Sequence, residues 1–378
     1  MQYRKFGRLD WEVSAASLGI LRVETVVRED DGIDWDERAK AAAYAFDSGV
    51  NFVNLGYPTY FRDSETAFSF GRKVLGLAGG RAKTAVNVLT RDIQSQADLD
   101  RCLDMQLENL SLDKADFCVL DWVYRRTWEK LKRLDVASWA ERILKDGRAG
   151  HMGIMFHDDA YYLDDINSTY SGWDLVQFEY SFMDHKHHPG AGGKKYTAQF
   201  NQGLVASDCM KGGRLLENIP ENVRNVWDEA EGDLSVAERC IRWTLSQAEV
   251  ATVLFDLETV GQAKEYLETA RKCIPGSADM FEVLAADFAK DAYYSNRMIQ
   301  CSACRCCMPC GFDVDAPRIA ELYNDALMFR DARIPGFLYN LEGHANVPCK
   351  KCALCEKRCP RSFPLVDLME RAGELFAD

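Results

Sequence analysis

Eight cysteines stand in two runs whose spacing suits iron–sulfur chemistry. Cys301-x2-Cys304-x2-Cys307-x2-Cys310 is followed, 39 residues on, by Cys349-x2-Cys352-x2-Cys355-x3-Cys359-Pro360. The second run has the spacing of bacterial two-cluster proteins, in which three thiolates grip one cubane and the fourth, set before a proline, reaches the neighbouring cluster. The last gap of the first run is two residues rather than three, and Cys306 offers an alternative third ligand there. Paired C-x2-C units also build zinc ribbons. Triplet spacing repeated in two runs instead favours two [4Fe-4S] clusters, with Cys306 left over as a spare thiol.

The rest of the chain sets the context for that chemistry. The opening stretch MQYRKFGRLDWEV lacks the apolar core of a secretory signal, and no segment approaches the roughly 18 consecutive apolar residues of a membrane span. The expected compartment is cytoplasmic, where thiols stay reduced and fourteen cysteines point to metal or redox work rather than disulfides. The five cysteines outside the runs, Cys102, Cys118, Cys209, Cys240 and Cys273, lie in apolar surroundings and read as buried structural thiols. Net charge is −13, and residues 301–378 hold ten basic against eleven acidic side chains, so nearly all the excess acidity lies in the first 300 residues. That field repels a nucleic-acid backbone and argues against such a partner.

The elements that must position this chemistry show two rhythms. Up to about residue 275, eight short apolar runs each precede an amphipathic stretch: AASLGIL, VNFVNLGY, KTAVNVL, ADFCVLDWV, HMGIMFHD, DLVQFEYSF, GLVASDCM and VATVLFDL. Eight strands alternating with helices predict a closed parallel (β/α)8 TIM barrel. Leu99, Cys102, Leu103, Leu107 and Leu110 share one helical face, and Ser235 with Glu238 forms a capping box. Residues 276–300 read as a helical linker. Residues 301–378 form a small helical iron–sulfur domain, in which APRIAELYNDALMF places Ile319, Leu322, Ala326 and Phe329 at helical spacing. In such a barrel the chemistry sits where strands give way to βα loops. The polar residues there are Asn54, Asn87, Asp121, His157, Tyr180 and Asp208, with Tyr57 and Tyr60 in the loop after the second strand.

The segments MQYRKFGRLDWEVSAASLGILRV, AFDSGVNFVNLGYPTYFRDSETAFSFGRKV, LENLSLDKADFCVLDWV, GRAGHMGIMFHDD, WDLVQFEYSFMD and CMKGGRL together resemble, in order, the aldo/keto reductase superfamily in its branch with a C-terminal two-cluster ferredoxin domain. The cysteine region by itself resembles the α-helical ferredoxin module. That likeness implies exchanged fourth ligands: Cys310 joins Cys349, Cys352 and Cys355, while Cys359 joins Cys301, Cys304 and Cys307. The superfamily resemblance implies carbonyl reduction by NAD(P)H through an Asp, Tyr, Lys and His tetrad. This chain departs from the tetrad throughout, having Asn54, Thr59, Asn87 and Asp121 at those positions. Losing the Asp and the Lys together is physically coherent, because removing one partner of a buried ion pair strands the other at a cost of about 3–5 kcal/mol.

The resemblance also implies a cofactor loop at Lys211-Gly212-Gly213 and a nicotinamide-stacking ring at Tyr180. The small Ser-Gly pair expected near the cofactor phosphate is Phe255-Asp256 here. A carboxylate at that point would repel a phosphate by about 4 kcal/mol at about 4 Å and an effective dielectric of about 20. NAD(P)H binding is therefore in question. Two readings follow. In one, an iron–sulfur oxidoreductase exchanges electrons with a small organic substrate at the barrel mouth, using Asn54, Tyr57, Tyr60, Asn87, Asp121 and His157, with Asp121 or Tyr60 as proton donor. In the other, an electron-transfer subunit docks a partner enzyme through its barrel. Lys350, Lys351, Lys357, Arg358 and Arg361 crowd the second cysteine run and suit an acidic redox partner such as a ferredoxin or flavodoxin. The stretch DHKHH, 184–188, could hold a divalent metal, but followed by PGAGGKK it reads better as a loop.

Overall fold

The computed structural model describes residues 1–29, 32–185 and 189–377. Among the described residues ten strands run in chain order: β1 (Tyr3–Lys5), β2 (Glu12–Ser14), β3 (Ala16–Gly19), β4 (Phe52–Asn54), β5 (Lys83–Leu89), β6 (Ala115–Val123), β7 (Ala149–Phe156), β8 (Trp173–Glu179), β9 (Gly203–Ser207) and β10 (Val250–Phe255). The last eight close a parallel barrel in the order β10-β3-β4-β5-β6-β7-β8-β9. Each of the eight apolar runs read from the sequence supplies one barrel strand.

β1 and β2 form a separate antiparallel pair that the sequence pattern does not show. Phe6 and Trp11, in the turn between them, pack on Phe52 and Phe117 with ring centroids 5.5–6.4 Å apart, so the hairpin plugs the end of the barrel where the strands begin. The helices follow local rules. Gln96–Asn109 starts at a capping box on Ser95 and buries Leu99, Leu103 and Leu107. Val236–Leu245 starts at the expected box on Ser235 and Glu238. An N-cap of this kind contributes about 1 kcal/mol.

The chain divides into two compact units, Met1–Gly212 with Asp233–Val283, and Gly213–Gly232 with Leu284–Asp378. The barrel unit thus extends past residue 275. The segment 213–232 groups with the C-terminal unit because its anchors lie there. Arg214 stands 3.6 Å from Asp325 and stacks 4.7 Å from the Phe329 ring, and the Asn222 amide donates to the Ala292 carbonyl at 2.8 Å.

In the second unit the helix Ala316–Phe329 begins at Asp315, whose carboxylate accepts from the Arg318 N–H, and buries Ile319, Leu322, Ala326 and Phe329. Each large apolar side chain buried there contributes about 1.5–3 kcal/mol. Leu365, Leu368 and Met369 of the last helix join this core, and Cys301, Cys307, Cys310, Cys349, Cys355 and Cys359 lie half-buried against it. Burial alone would raise the Glu342 carboxyl, but the Arg318 charge and the His344 hydrogen bond outweigh it and hold the group down to about 2.

Candidate functional site

At the barrel mouth an amide network stands at the positions where the family resemblance implies an Asp–Lys ion pair. Asn54, fully buried at the end of β4, donates through Nδ2 to Asn87 Oδ1 at 3.2 Å and to Gln177 Oε1 at 3.0 Å. Its own Oδ1 accepts the Gly56 N–H at 2.9 Å. Gly56 adopts φ 65°, and a Cβ there would fall 2.0 Å from the Ile20 carbonyl oxygen, so only glycine fits the turn that presents Tyr57. Gln177 and Tyr57 both donate to Met155 Sδ, at 3.3 and 3.1 Å. Asn87 Nδ2 and Thr59 Oγ1 are buried without partners. Gln177 was missed by the sequence reading. The signal was a polar residue set directly between the apolar Val176 and Phe178 of the run DLVQFEYSF.

Asp121 owes its position to an irregular strand end. The β6–β7 register shifts between Leu120 and Val123, and Trp122 is held at φ 59°. Two threonine hydroxyls pin this bulge: Thr90 donates to the Asp121 carbonyl at 2.5 Å and Thr127 to the Trp122 carbonyl at 2.6 Å. Bulges of this kind re-aim side chains beside active sites. The Asp121 carboxylate is fully buried, accepting the Trp122 N–H on Oδ1 at 2.5 Å. His157 Nε2 lies 3.9 Å from Oδ1. Asp121 Oδ2 and His157 Nε2 have no hydrogen-bond partner of normal geometry. Tyr57 and Tyr60 stack at 5.5 Å with planes 12° apart. Burial and then the Asp121 charge push both phenols above their usual range, the opposite of a tyrosine activated by lysine.

The basic residues of this face are already paired. Arg22, just beyond β3, donates to Asp208 at 2.9 Å, and burial with the neighbouring Asp208 charge keeps the Glu24 carboxyl well above its ordinary range. Lys211 donates to Glu179 at 2.8 Å and to Asp184 at 2.9 Å. Arg38 donates to Asp256 at 2.6 Å and to Glu258 at 3.0 Å, and Thr25 also donates to Asp256, at 2.5 Å. Asp256 is therefore not the bare charge its sequence position suggests. Lys211, Gly212 and Gly213 form three successive left-handed residues. Tyr180 is fully buried, its hydroxyl 3.1 Å from His185 Nδ1 and its ring 6.0 Å from Phe178 and 5.5 Å from Trp243. In the stretch 184–188, Asp184 and His185 are occupied as above, while Lys186, His187 and His188 lie outside the described residues.

Among the described residues no group of three or more His, Cys, Asp or Glu side chains could hold a single metal ion. A cubane poses a different requirement, because its four thiolates bind four separate irons and stand farther apart. Cys301, Cys304 and Cys307 line one concavity together with Cys359 from the second run. Two arginines bring the runs side by side: Arg358 Nη1 donates to the Pro309 carbonyl at 3.0 Å and Arg361 Nη1 to the Gln300 carbonyl at 3.1 Å. Cys306 is exposed and does not line that concavity. Of the other set, Cys310, Cys349 and Cys355 are half-buried and Cys352 is exposed. Only Cys349 of these borders the neighbouring hollow of about 510 Å³.

Residues 23–281 match the model of the family described as the aldo/keto reductase family. The chain belongs to that family. Among solved structures it is similar to the aldo-keto reductase AKR11C1 from Bacillus halodurans in its holo form, with 15% identity, a TM-score of 0.61, and coverage of 76% of this chain and 96% of that one. At that identity the likeness speaks for the fold. No curated protein matches the chain. Aldo/keto reductases commonly use NAD(P)H. At the positions that resemble their cofactor site the Tyr180 ring is buried and Lys211 is held by two carboxylates, as is Arg38 beside Asp256. No helix among the described residues is long and apolar enough to cross a membrane.

Proposed function

We propose that this aldo/keto reductase family member is an iron–sulfur oxidoreductase that exchanges electrons with a small organic substrate at its barrel mouth, in place of NAD(P)H-linked carbonyl reduction. The observation that carries the reading is the concavity lined by Cys301, Cys304, Cys307 and Cys359, which draws its fourth cysteine from the distant run. These residues fit one [4Fe-4S] cluster, and Cys310, Cys349, Cys352 and Cys355 supply the donor set for a second. Bound clusters would supply one-electron carriage, two of them matching one two-electron reduction.

The chain's own residues would do the remaining work. Asn54, Asn87 and Gln177 present neutral amides at the floor of the mouth, with an amide rather than a lysine at position 87. Asp121, His157 and Tyr60 are the groups able to hold a proton there. Anaerobic protein reduced with dithionite is expected to be reoxidised by at least one member of a panel of small carbonyl, enoate and amine-bearing acceptors, followed by its visible absorbance. NADPH oxidation with the same panel is expected to stay at background. Robust NADPH-linked aldehyde reduction by the wild type would overturn the reading.

A further inference from the structure

We propose that the barrel mouth binds a small organic cation, an alkylammonium group, on the Asp121 carboxylate beside the rings of Tyr57, Tyr60 and His157. The inference rests on the mouth being the substrate site and names the class of substrate. Asp121 is fully buried, and the strand is distorted to place it, with Trp122 held at φ 59° and two threonines fixing the bulge. Strain maintained in this way marks functional positions. A buried charge normally has a partner, but Asp121 Oδ2 has no hydrogen bond of normal geometry, and its neutral neighbour, the Tyr57 hydroxyl, is directed to Met155 Sδ at 3.1 Å. Among the described residues the only cation-capable side chain within 4 Å is His157, whose Nε2 lies 3.9 Å from the other oxygen and has no hydrogen-bond partner.

The surroundings select a cation rather than a neutral donor. The Tyr57 hydroxyl meets the Asp121 carboxylate, and the Tyr60 ring stacks on Tyr57 with centroids 5.5 Å apart. The Trp122 ring lies 5.8 Å from His157. Aromatic faces attract ammonium groups, and a carboxylate flanked by rings is the usual way such groups are recognised. Among the described residues no lysine or arginine forms an ion pair with Asp121, and Arg38 and Lys211 are each held by two carboxylates. Arg22 is bonded to Asp208 and keeps one unpartnered nitrogen, Nη1, so a small anion at Arg22 is the competing occupant. Asp208, Glu24 and Asp256 all act electrostatically on that guanidinium, a field that opposes an added anion.

The test is calorimetric titration of the oxidised holoprotein, without turnover, with n-butylammonium, n-butanol and butyrate at constant ionic strength. Butylammonium is expected to bind at least tenfold more tightly than either isostere. Asp121→Asn is expected to weaken it at least tenfold, and Tyr60→Leu about threefold or more. Tighter binding of butyrate, binding of none of the three, or unchanged butylammonium affinity in Asp121→Asn would overturn the proposal. Should Asp121→Asn not fold, the wild-type probe series and Tyr60→Leu decide it, an unchanged affinity in Tyr60→Leu counting against. Because no redox step is involved, a positive titration stands even if the mouth proves catalytically silent, and a negative one leaves the electron-transfer reading untouched.

Discussion

Asn54 and Asn87 stand where the family resemblance implies a buried charge pair, and their side chains belong instead to one amide network. Both Asn54 Nδ2 protons are used, one on Asn87 and one on Gln177. Asn54→Asp would turn both contacts into oxygen facing oxygen and bury a charge without a partner, at a cost of about 3–5 kcal/mol. Asn54→Asp is therefore expected to lower unfolding stability by about that amount, and adding Asn87→Lys to recover most of it. Urea unfolding of the wild type, both single variants and the double gives the coupling, and purely additive losses would contradict the pairing. Positions 54, 59, 87 and 121 were singled out in the sequence because a resemblance fixed where to look, and the structure places Asn54, Asn87 and Asp121 in the buried interior. The roles of Gln177, Arg22 and Glu24 were not legible there, since a polar residue inside or just beyond an apolar run carries no mark of which neighbour it meets. Asp256 shows the same limit: its charge was visible, but its pairing with Arg38, 218 residues away, was not.

At the scale of elements, the strand ends and the turns behind them do the positioning. The turn after β4 holds Asn54 and Tyr57 in place through Gly56. Gly56→Ala places a methyl 2.0 Å from the Ile20 carbonyl oxygen in a left-handed conformation, for an expected loss of about 2–4 kcal/mol. Thermal unfolding measures it, and an unchanged melting temperature would show that the turn is not the constraint described. Periodicity gave away the eight barrel strands and the helix Ala316–Phe329, because each buries a regular face. It did not reveal the β1–β2 hairpin, whose strands are three residues each. The bulge at Asp121 and Trp122 was hidden too, since ADFCVLDWV reads as an unbroken strand. The grouping of 213–232 with the C-terminal unit was also out of reach, because its anchors Ala292, Asp325 and Phe329 are distant in sequence.

For the whole molecule, the two halves of the chain carry different charge. The basic residues around the second cysteine run are not equivalent: Lys351 pairs with Glu370 at 2.9 Å, and Arg358 and Arg361 brace the first run. Lys350 and Lys357 are exposed and stand as the outward-facing charges. If this face receives electrons from an acidic ferredoxin or flavodoxin, Lys350→Glu with Lys357→Glu slows that reduction severalfold at low salt, and the difference shrinks as salt screens it. A rate independent of both charge and salt would remove this docking face from the account.

The central claim is that the two cysteine runs hold two cubane clusters. Iron and acid-labile sulfide counted per chain in anaerobically purified protein, with electron paramagnetic resonance after dithionite reduction, test it most directly. About eight irons and about eight sulfides with the signals of two reduced [4Fe-4S] centres are expected. Four irons, or stoichiometric zinc without sulfide, would contradict it.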